Sequence, residues 1–231
     1  MKKKIDQLVL LNGGLGKRVK SISKNKPKCL INFGNKSFLH RQLLLFKKKG
    51  IKKIVICTGY KSRLIDLEIK KIKIKNLDIK ILEEKVPLGT GGAIKNIQKY
   101  LDDYFFVTYG DSWININFNN LISNFYKKRE NNMICIINKS RIFNHKPNIL
   151  INKNRIKDYK KDEINFNYID YGLMIFSVKG IKKLKKNKFD LSYYVKKLIK
   201  NKSLSIYKVK KKFYEIGSLQ GIRDFKKIIL L

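Results

Sequence analysis

The chain has 231 residues, 43% of them hydrophobic and 31% charged, with a formal net charge of +37 at pH 7. This length and apolar content supply a substantial core, and no apolar run reaches the roughly 18 residues of a membrane-spanning helix, so a disordered polycation and a membrane protein are both excluded as expectations. The basic excess is 47 Lys against 7 Arg, spread with Ile and Asn along the whole chain. Such uniform enrichment reads as the composition of an A+T-rich genome and a solvated surface. Arg, the residue suited to bidentate phosphate and base readout, is the scarce one, so no specific nucleic-acid partner is expected.

The first predicted strand, Ile5 to Leu11, empties into Leu11-Asn12-Gly13-Gly14-Leu15-Gly16-Lys17-Arg18. Glycines lack Cβ atoms and accept φ > 0, so consecutive N–H groups can close on an anion, and two following cations add charge where a phosphate would lie. The spacing is not that of a P-loop, because Arg18 stands where a hydroxyl should follow Gly16-Lys17. Nor is it a dinucleotide fingerprint, since the region around Phe33-Gly34-Asn35 holds no carboxylate. A plain strand-to-helix turn would not need Arg18 and the later Lys28.

Farther along, Ser37 to Lys49 predicts a helix with Ser37 as N-cap and Gly50 just past its end. A strand at Ile54–Cys57, a helix from Lys61 to Lys71, a strand at Ile79–Leu82 and a helix from Gly92 to Leu101 follow. The apolar run from Phe105 ends in Gly110-Asp111; ligands in open α/β sheets sit outside such carboxyl ends, which makes Asp111 a candidate metal ligand. The remaining elements are a helix at Asn119–Arg129, strands at Met133–Ile137 and Tyr171–Ser177, a helix to Lys200 capped by Asp190, a strand at Leu204–Val209 and a closing helix Ser218–Ile229. This alternation predicts one α/β domain over residues 1–231, a Rossmann-like, mostly parallel mixed sheet with helices on both faces.

Gly13-Gly14-Leu15-Gly16-Lys17-Arg18, then Pro27-Lys28, then Glu84 and Pro87-Leu88-Gly89-Thr90-Gly91-Gly92, then Gly110-Asp111, and finally Tyr214-Glu215-Ile216-Gly217-Ser218 stand in one order across the chain. Together they resemble the nucleoside-diphosphate-sugar pyrophosphorylases, the sugar-1-phosphate nucleotidylyltransferases. The usual loop carries Thr where Lys17 stands and Leu where Val19 stands, and the last motif usually carries Asp where Glu215 stands. The resemblance implies nucleotide binding by Leu11, Asn12, Gly13, Gly14, Gly16, Lys17, Pro87, Gly89 and Thr90, with Arg18, Lys28 and Asp111 as catalytic residues. It also implies Mg²⁺ held by Asp111 and Glu215, and a sugar site at Gly110, Asp170 and Gly172 within roughly residues 112–217.

The family's sugar-contacting Glu-Lys pair is missing between Arg141 and Asp170, and Asp170 stands near the usual Asn of the Asn-x-Gly segment that follows it. No C-terminal β-helix domain is expected, because the sequence runs only 16 residues past Glu215.

The implied activity joins an NTP to a sugar 1-phosphate with release of pyrophosphate. Leu88 to Lys95 looks most like the single-domain heptose- and mannose-1-phosphate guanylyltransferases, which favours GTP. Uridylyl, cytidylyl or thymidylyl transfer to another sugar 1-phosphate, a non-catalytic paralogue, and a basic polyanion-binding protein are the alternatives. A GT-A glycosyltransferase would want a second Asp after Asp111, where Ser112-Trp113 stands.

Cys29, Cys57 and Cys135 are odd in number and lack metal-ligand spacing, which fits a reducing cytoplasm. The run after Met1-Lys2-Lys3-Lys4 is too short for a signal peptide. His40 and His145 have no partner pattern and are assigned no chemistry.

Overall fold

A computed structural model describes residues 4–142, 145–160 and 163–229, with the Lys17 side chain outside that description. The chain opens with β1 (Gln7–Asn12), α1 (Lys20–Ser23), the short pair β2 (Asn32–Phe33) and β3 (Lys36–Ser37), and α2 (Phe38–Lys48). It continues through β4 (Lys53–Thr58), α3 (Ser62–Lys71), β5 (Asp78–Glu83), α4 (Gly89–Asn96) and β6 (Tyr104–Tyr109). Next come β7 (Ser112–Trp113), α5 (Phe118–Tyr126), β8 (Met133–Asn138), β9 (Ile149–Asn152), β10 (Arg155–Tyr159) and β11 (Tyr168–Ser177). The last elements are α6 (Val178–Lys182), α7 (Leu191–Lys200), β12 (Ser205–Val209), β13 (Tyr214–Glu215) and α8 (Leu219–Ile229).

Among the described residues nine strands form one mixed sheet. Its path runs β12-β8-β11-β6-β1-β4-β5, with the β9–β10 hairpin joining β11 at Tyr168. The half built on β1 is parallel, with Leu8 to Asn12 beside Ile54 to Thr58 on one side and Leu8 to Leu11 beside Phe106 to Tyr109 on the other. β11 runs antiparallel to β6, β8 and β9, so parallel pairing predominates only on the N-terminal side of the sheet.

Alternate side chains of β1 serve the two faces, as the period of two requires. Leu8 and Leu10 pack with Leu39, Leu43 and Phe46 of α2, Ile65 of α3 and Phe118 of α5. Val9 and Leu11 pack with Ala93 and Ile94 of α4, Ile181 of α6 and Val195 of α7. A third cluster joins Val19, Phe33, Phe38, Ile222 and Phe225, fastening α8 beside the glycine loop. No helix among the described residues is long and apolar enough to cross a membrane.

The Ser37 cap is present, its Oγ accepting from His40 N at 3.2 Å, and Gly50 takes φ 91° just past α2. Several boundaries differ from the sequence reading. α4 runs from Gly89 to Asn96, and Ile97, at φ −95° and ψ 8°, leaves the helical region ahead of a 3-10 turn at Gln98–Tyr100. α5 ends at Tyr126 rather than Arg129, and β11 begins at Tyr168 rather than Tyr171. The hairpin β9–β10 was not expected at all; Lys153 and Asn154 both take positive φ, 45° and 58°, the conformation of a two-residue hairpin turn. Asp190 does not cap α7 with its side chain. The group that does is Thr90 Oγ1, which accepts from Leu191 N at 2.8 Å across the sheet's helical layer.

Candidate active site

The site lies at the carboxyl ends of β1 and β6. Asn12 closes β1, Tyr109 closes β6, and Gly110 N donates back to Leu11 O at 2.9 Å, which ties the two strand ends together. Asn12 is 5% exposed, and its Nδ2 is buried without a partner among the described residues. Gly110 leaves room for it: a Cβ there would stand 1.6 Å from Asn12 Oδ1.

The glycine loop then crosses over Lys28. Gly16 has φ 62° and turns the chain into a 3-10 turn at Lys17–Val19, with Val19 N bonded to Gly16 O at 3.1 Å. Pro27 starts a second such turn at Lys28–Leu30, so Lys28 projects under the loop from a fixed backbone. A Cβ on Gly16 would stand 3.6 Å from Lys28 Cβ, and one on Gly14 would stand 3.9 Å from Lys28 Nζ. No atom lies within 4 Å of a Cβ on Gly13, so that part of the loop opens outward, as does Leu15 at 57% exposure.

Beyond the loop Lys28 Nζ is ion-paired with Asp111 Oδ2, and their side chains are only 20% and 15% exposed. β7 and β13 pair antiparallel, with Glu215 opposite Ser112, and Ile216 N donates to Asp111 O at 2.9 Å. That small ladder brings the C-terminal motif onto the end of β6. A Cβ on Gly217 would meet Asp111 Oδ2 at 3.0 Å, Glu215 Oε2 at 3.1 Å and Arg18 Nη2 at 3.5 Å. Three groups named separately from the sequence therefore converge on one point, and Lys28 joins them through Asp111. Ser218 Oγ, 3.2 Å from Glu215 Oε1, steadies the second carboxylate.

Among the described residues no group of three or more His, Cys, Asp or Glu side chains forms a self-sufficient metal cage. Two converging carboxylates with access to phosphate and water are nonetheless the donor set Mg²⁺ uses, since it commonly binds through one or two carboxylates plus substrate phosphates. Asp111 and Glu215 fit such an ion.

The other predicted residues divide between the site and its support. Gly89 has φ 77°, and a Cβ there would stand 2.7 Å from Phe189 O. Gly91 and Gly92 both donate to Phe189 O at 3.0 Å, and Cβ atoms on them would clash with the Phe189 ring and Asn187 O. These glycines let the segment before α7 dock onto α4. Thr90 is spent on the α7 cap described above. Glu84 Oε2 accepts from Leu88 N at 3.3 Å and holds the Pro87 turn.

On the β11 side, a register shift between Asp170 and Met174 coincides with Gly172 at φ 79°. Asp170 Oδ1 accepts from Gly172 N and Oδ2 from the Tyr159 hydroxyl, both at 2.8 Å. Burial pushes the Asp170 carboxyl up to about 6, while those two hydrogen bonds pull the other way. Tyr109, which sequence reasoning passed over as core, touches this region: its ring lies 3.4 Å from where a Gly172 Cβ would stand. Burial, then Asp170, Asp111 and Asp190, push its phenol far up, so it remains a neutral donor among carboxylates. Its signal was its position directly before Gly110-Asp111.

Burial pushes His40 and His145 below the ordinary imidazole range; for His145 the Glu215 carboxylate pulls the other way, which places that imidazole beside the cluster. The three cysteines are free and buried, and burial pushes the Cys29 thiol up to about 12.

Comparison with known proteins fits this geometry. The Nucleotidyl transferase family profile matches residues 7–144, which spans the glycine loop, Lys28, the Gly89 segment and Asp111. D-glycero-alpha-D-manno-heptose 1-phosphate guanylyltransferase of Campylobacter jejuni subsp. jejuni serotype O:2 is 39% identical over 115 residues, covering 50% of this chain and 52% of the relative. Mannose-1-phosphate guanyltransferase of Aspergillus fumigatus is 28% identical over 188 residues, covering 76% of this chain and 50% of the relative. The matched region thus spans about half the length of these curated relatives. The crystal structure of HddC from Yersinia pseudotuberculosis complexed with GMP-PN superposes with a TM-score of 0.83 at 25% identity, covering 97% of this chain and 100% of HddC. The chain belongs to the nucleotidyl transferase family.

Proposed function

We propose that the chain is a sugar-1-phosphate nucleotidylyltransferase, with GTP as the favoured nucleotide and D-glycero-D-manno-heptose 1-phosphate or mannose 1-phosphate as the acceptor. The observation that carries this reading is the convergence of Arg18, Lys28, Asp111 and Glu215 beneath the glycine loop. The named relatives support the choice of guanine and of these two sugars.

A phosphate monoester oxygen of the acceptor attacks the α-phosphorus in line; the new P–O bond forms as the bond to the β-phosphate oxygen breaks, and pyrophosphate leaves. The nucleophile is already anionic near neutral pH, so no side chain has to take its proton. The protein's contribution is position and charge. Gly13, Gly14 and Gly16 offer backbone N–H groups to the phosphates, Lys28 and Arg18 offset their charge, and Lys17, whose side chain lies outside the described residues, is the further cation that the sequence supplies. Loss of one such contact typically costs on the order of 10²–10³ in rate. Mg²⁺ held by Asp111 and Glu215 would polarise phosphate oxygens and neutralise developing charge.

Leu11, Asn12, Pro87, Gly89 and Thr90 border the nucleoside in this reading, with Thr90 acting through the α7 cap. Gly110, Asp170 and Gly172 border the sugar, together with Tyr109. The free, buried cysteines support a cytoplasmic setting. An NDP-sugar made there would feed cell-surface polysaccharide.

The test is pyrophosphate release with Mg²⁺ from each of four NTPs against a panel of sugar 1-phosphates. GTP with one of the two named acceptors should give the highest turnover. Folded protein that releases pyrophosphate with no pair would leave the non-catalytic paralogue.

A further inference from the structure

Lys28 stands between two anionic claims. Its stem runs along Gly16, its ammonium lies beneath Gly14, and that ammonium is bonded to Asp111 Oδ2. The same Asp111 oxygen is one of two carboxylate oxygens that converge at Gly217, where Arg18 Nη2 also arrives. Two cations and two anions therefore balance at this point. A divalent cation approaching Asp111 meets an ammonium already in contact with the oxygen it needs, with a guanidinium close by. Phosphates settling in the glycine loop change that balance, because Gly14 and Gly16 are the loop positions directly above Lys28. They offer the ammonium a second, more highly charged partner without moving its backbone, which the 3-10 turn after Pro27 fixes.

We propose that Lys28 guards the carboxylate pair: it neutralises Asp111 until phosphates in the glycine loop draw the ammonium across, so that a divalent cation binds with the nucleotide or after it. This rests on the reading of Asp111 and Glu215 as the cation's ligands. Lys28 is then more than a phosphate contact, because it couples the two binding events. By linkage, the factor by which the nucleotide tightens the cation is the factor by which the cation tightens the nucleotide.

The experiment uses the full chain and Mn²⁺, followed by electron paramagnetic resonance, with and without a non-hydrolysable GTP analogue. Wild type should hold Mn²⁺ at least tenfold more tightly with the analogue than without it, after correction for binding of Mn²⁺ by the analogue alone. Lys28→Met should bind Mn²⁺ without nucleotide at least tenfold more tightly than wild type, and Mn²⁺ should raise its melting midpoint in that state. Lys28→Arg, which keeps the charge, should behave as wild type, and Asp111→Asn added to Lys28→Met should abolish the new binding.

Equal Mn²⁺ affinity of wild type and Lys28→Met without nucleotide, while the analogue still tightens it in wild type, would overturn the guard and leave the metal reading standing. Mn²⁺ binding by neither protein, with the analogue bound normally, would overturn both. If Lys28→Met does not fold, the wild-type coupling and its reciprocal carry the test, and a coupling factor near one overturns the proposal.

Discussion

Gly217 is the position at which a single methyl group reports on the whole site. Its φ lies outside the left-handed region, so Ala fits its backbone, and the change removes conformational freedom from the unfolded chain. The methyl, however, would stand 3.0 Å from Asp111 Oδ2 and 3.1 Å from Glu215 Oε2, inside the 3.4 Å at which ordinary contact begins. Both carboxylates must give by a few tenths of an ångström, and Asp111 cannot do so without disturbing its bond to Lys28. A misplacement of about 1 Å at a reacting centre costs up to about 10²-fold, which is about 2.7 kcal/mol on the barrier, so a shift of a few tenths of an ångström costs about 3- to 10-fold. Gly217→Ala should therefore keep its stability to urea, or gain up to about 1 kcal/mol, while pyrophosphate release falls by about 3- to 10-fold. Wild-type turnover in a normally folded Gly217→Ala protein would show that Asp111, Glu215 and Arg18 do not act together.

Three further substitutions test the walls of the site. The Asp170 carboxyl titrates near 6 in the folded chain against an ordinary 3.8, so its contribution is fully present below pH 3.8 and is lost as pH rises to about 6. Asp170→Asn keeps an acceptor for Gly172 N and cannot ionise; relative to wild type it should gain up to about 3 kcal/mol between pH 4 and pH 7 in urea unfolding. The same difference at both pH values would contradict the buried carboxylate. Gly110→Ala should destabilise by about 1–3 kcal/mol, because its methyl collides with Asn12 Oδ1. Adding Asn12→Ala should recover most of that loss, and strict additivity of the two changes would argue against the contact.

Much of this site was legible because its signals are local. A strand running into Gly13-Gly14-Leu15-Gly16, and another ending in Gly110-Asp111, announce themselves by apolar period and by glycine. Lys28 was readable as a cation after Pro27, but its bond to Asp111 spans 83 residues and has no local trace. The same holds for Thr90, whose hydroxyl caps a helix 101 residues away. Asp190 directly precedes that helix and was the natural choice for the cap, yet a tertiary contact took the role. β7 and β13 are two residues each, too short for any periodicity, although their pairing delivers Glu215 to Asp111. β9 and β10 sit amid Lys and Asn, and the residues in their turn, Lys153 and Asn154, include no glycine to mark it. Gly91 and Gly92 were legible only as part of the motif that begins at Pro87; the room their missing side chains leave for Phe189 and Asn187 has no local trace.

The central claim is that Asp111, Lys28, Arg18 and Glu215 form one centre for nucleotidyl transfer. It is tested most directly by following labelled GTP with Mg²⁺ and the named sugar 1-phosphates, in wild type and in Asp111→Asn. Label at the α-phosphate should pass into the sugar-linked product and label at the γ-phosphate into pyrophosphate, with both transfers lost in a normally folded Asp111→Asn protein. Near-wild-type transfer by Asp111→Asn, or γ-label released as orthophosphate without α-label reaching the sugar, would contradict it.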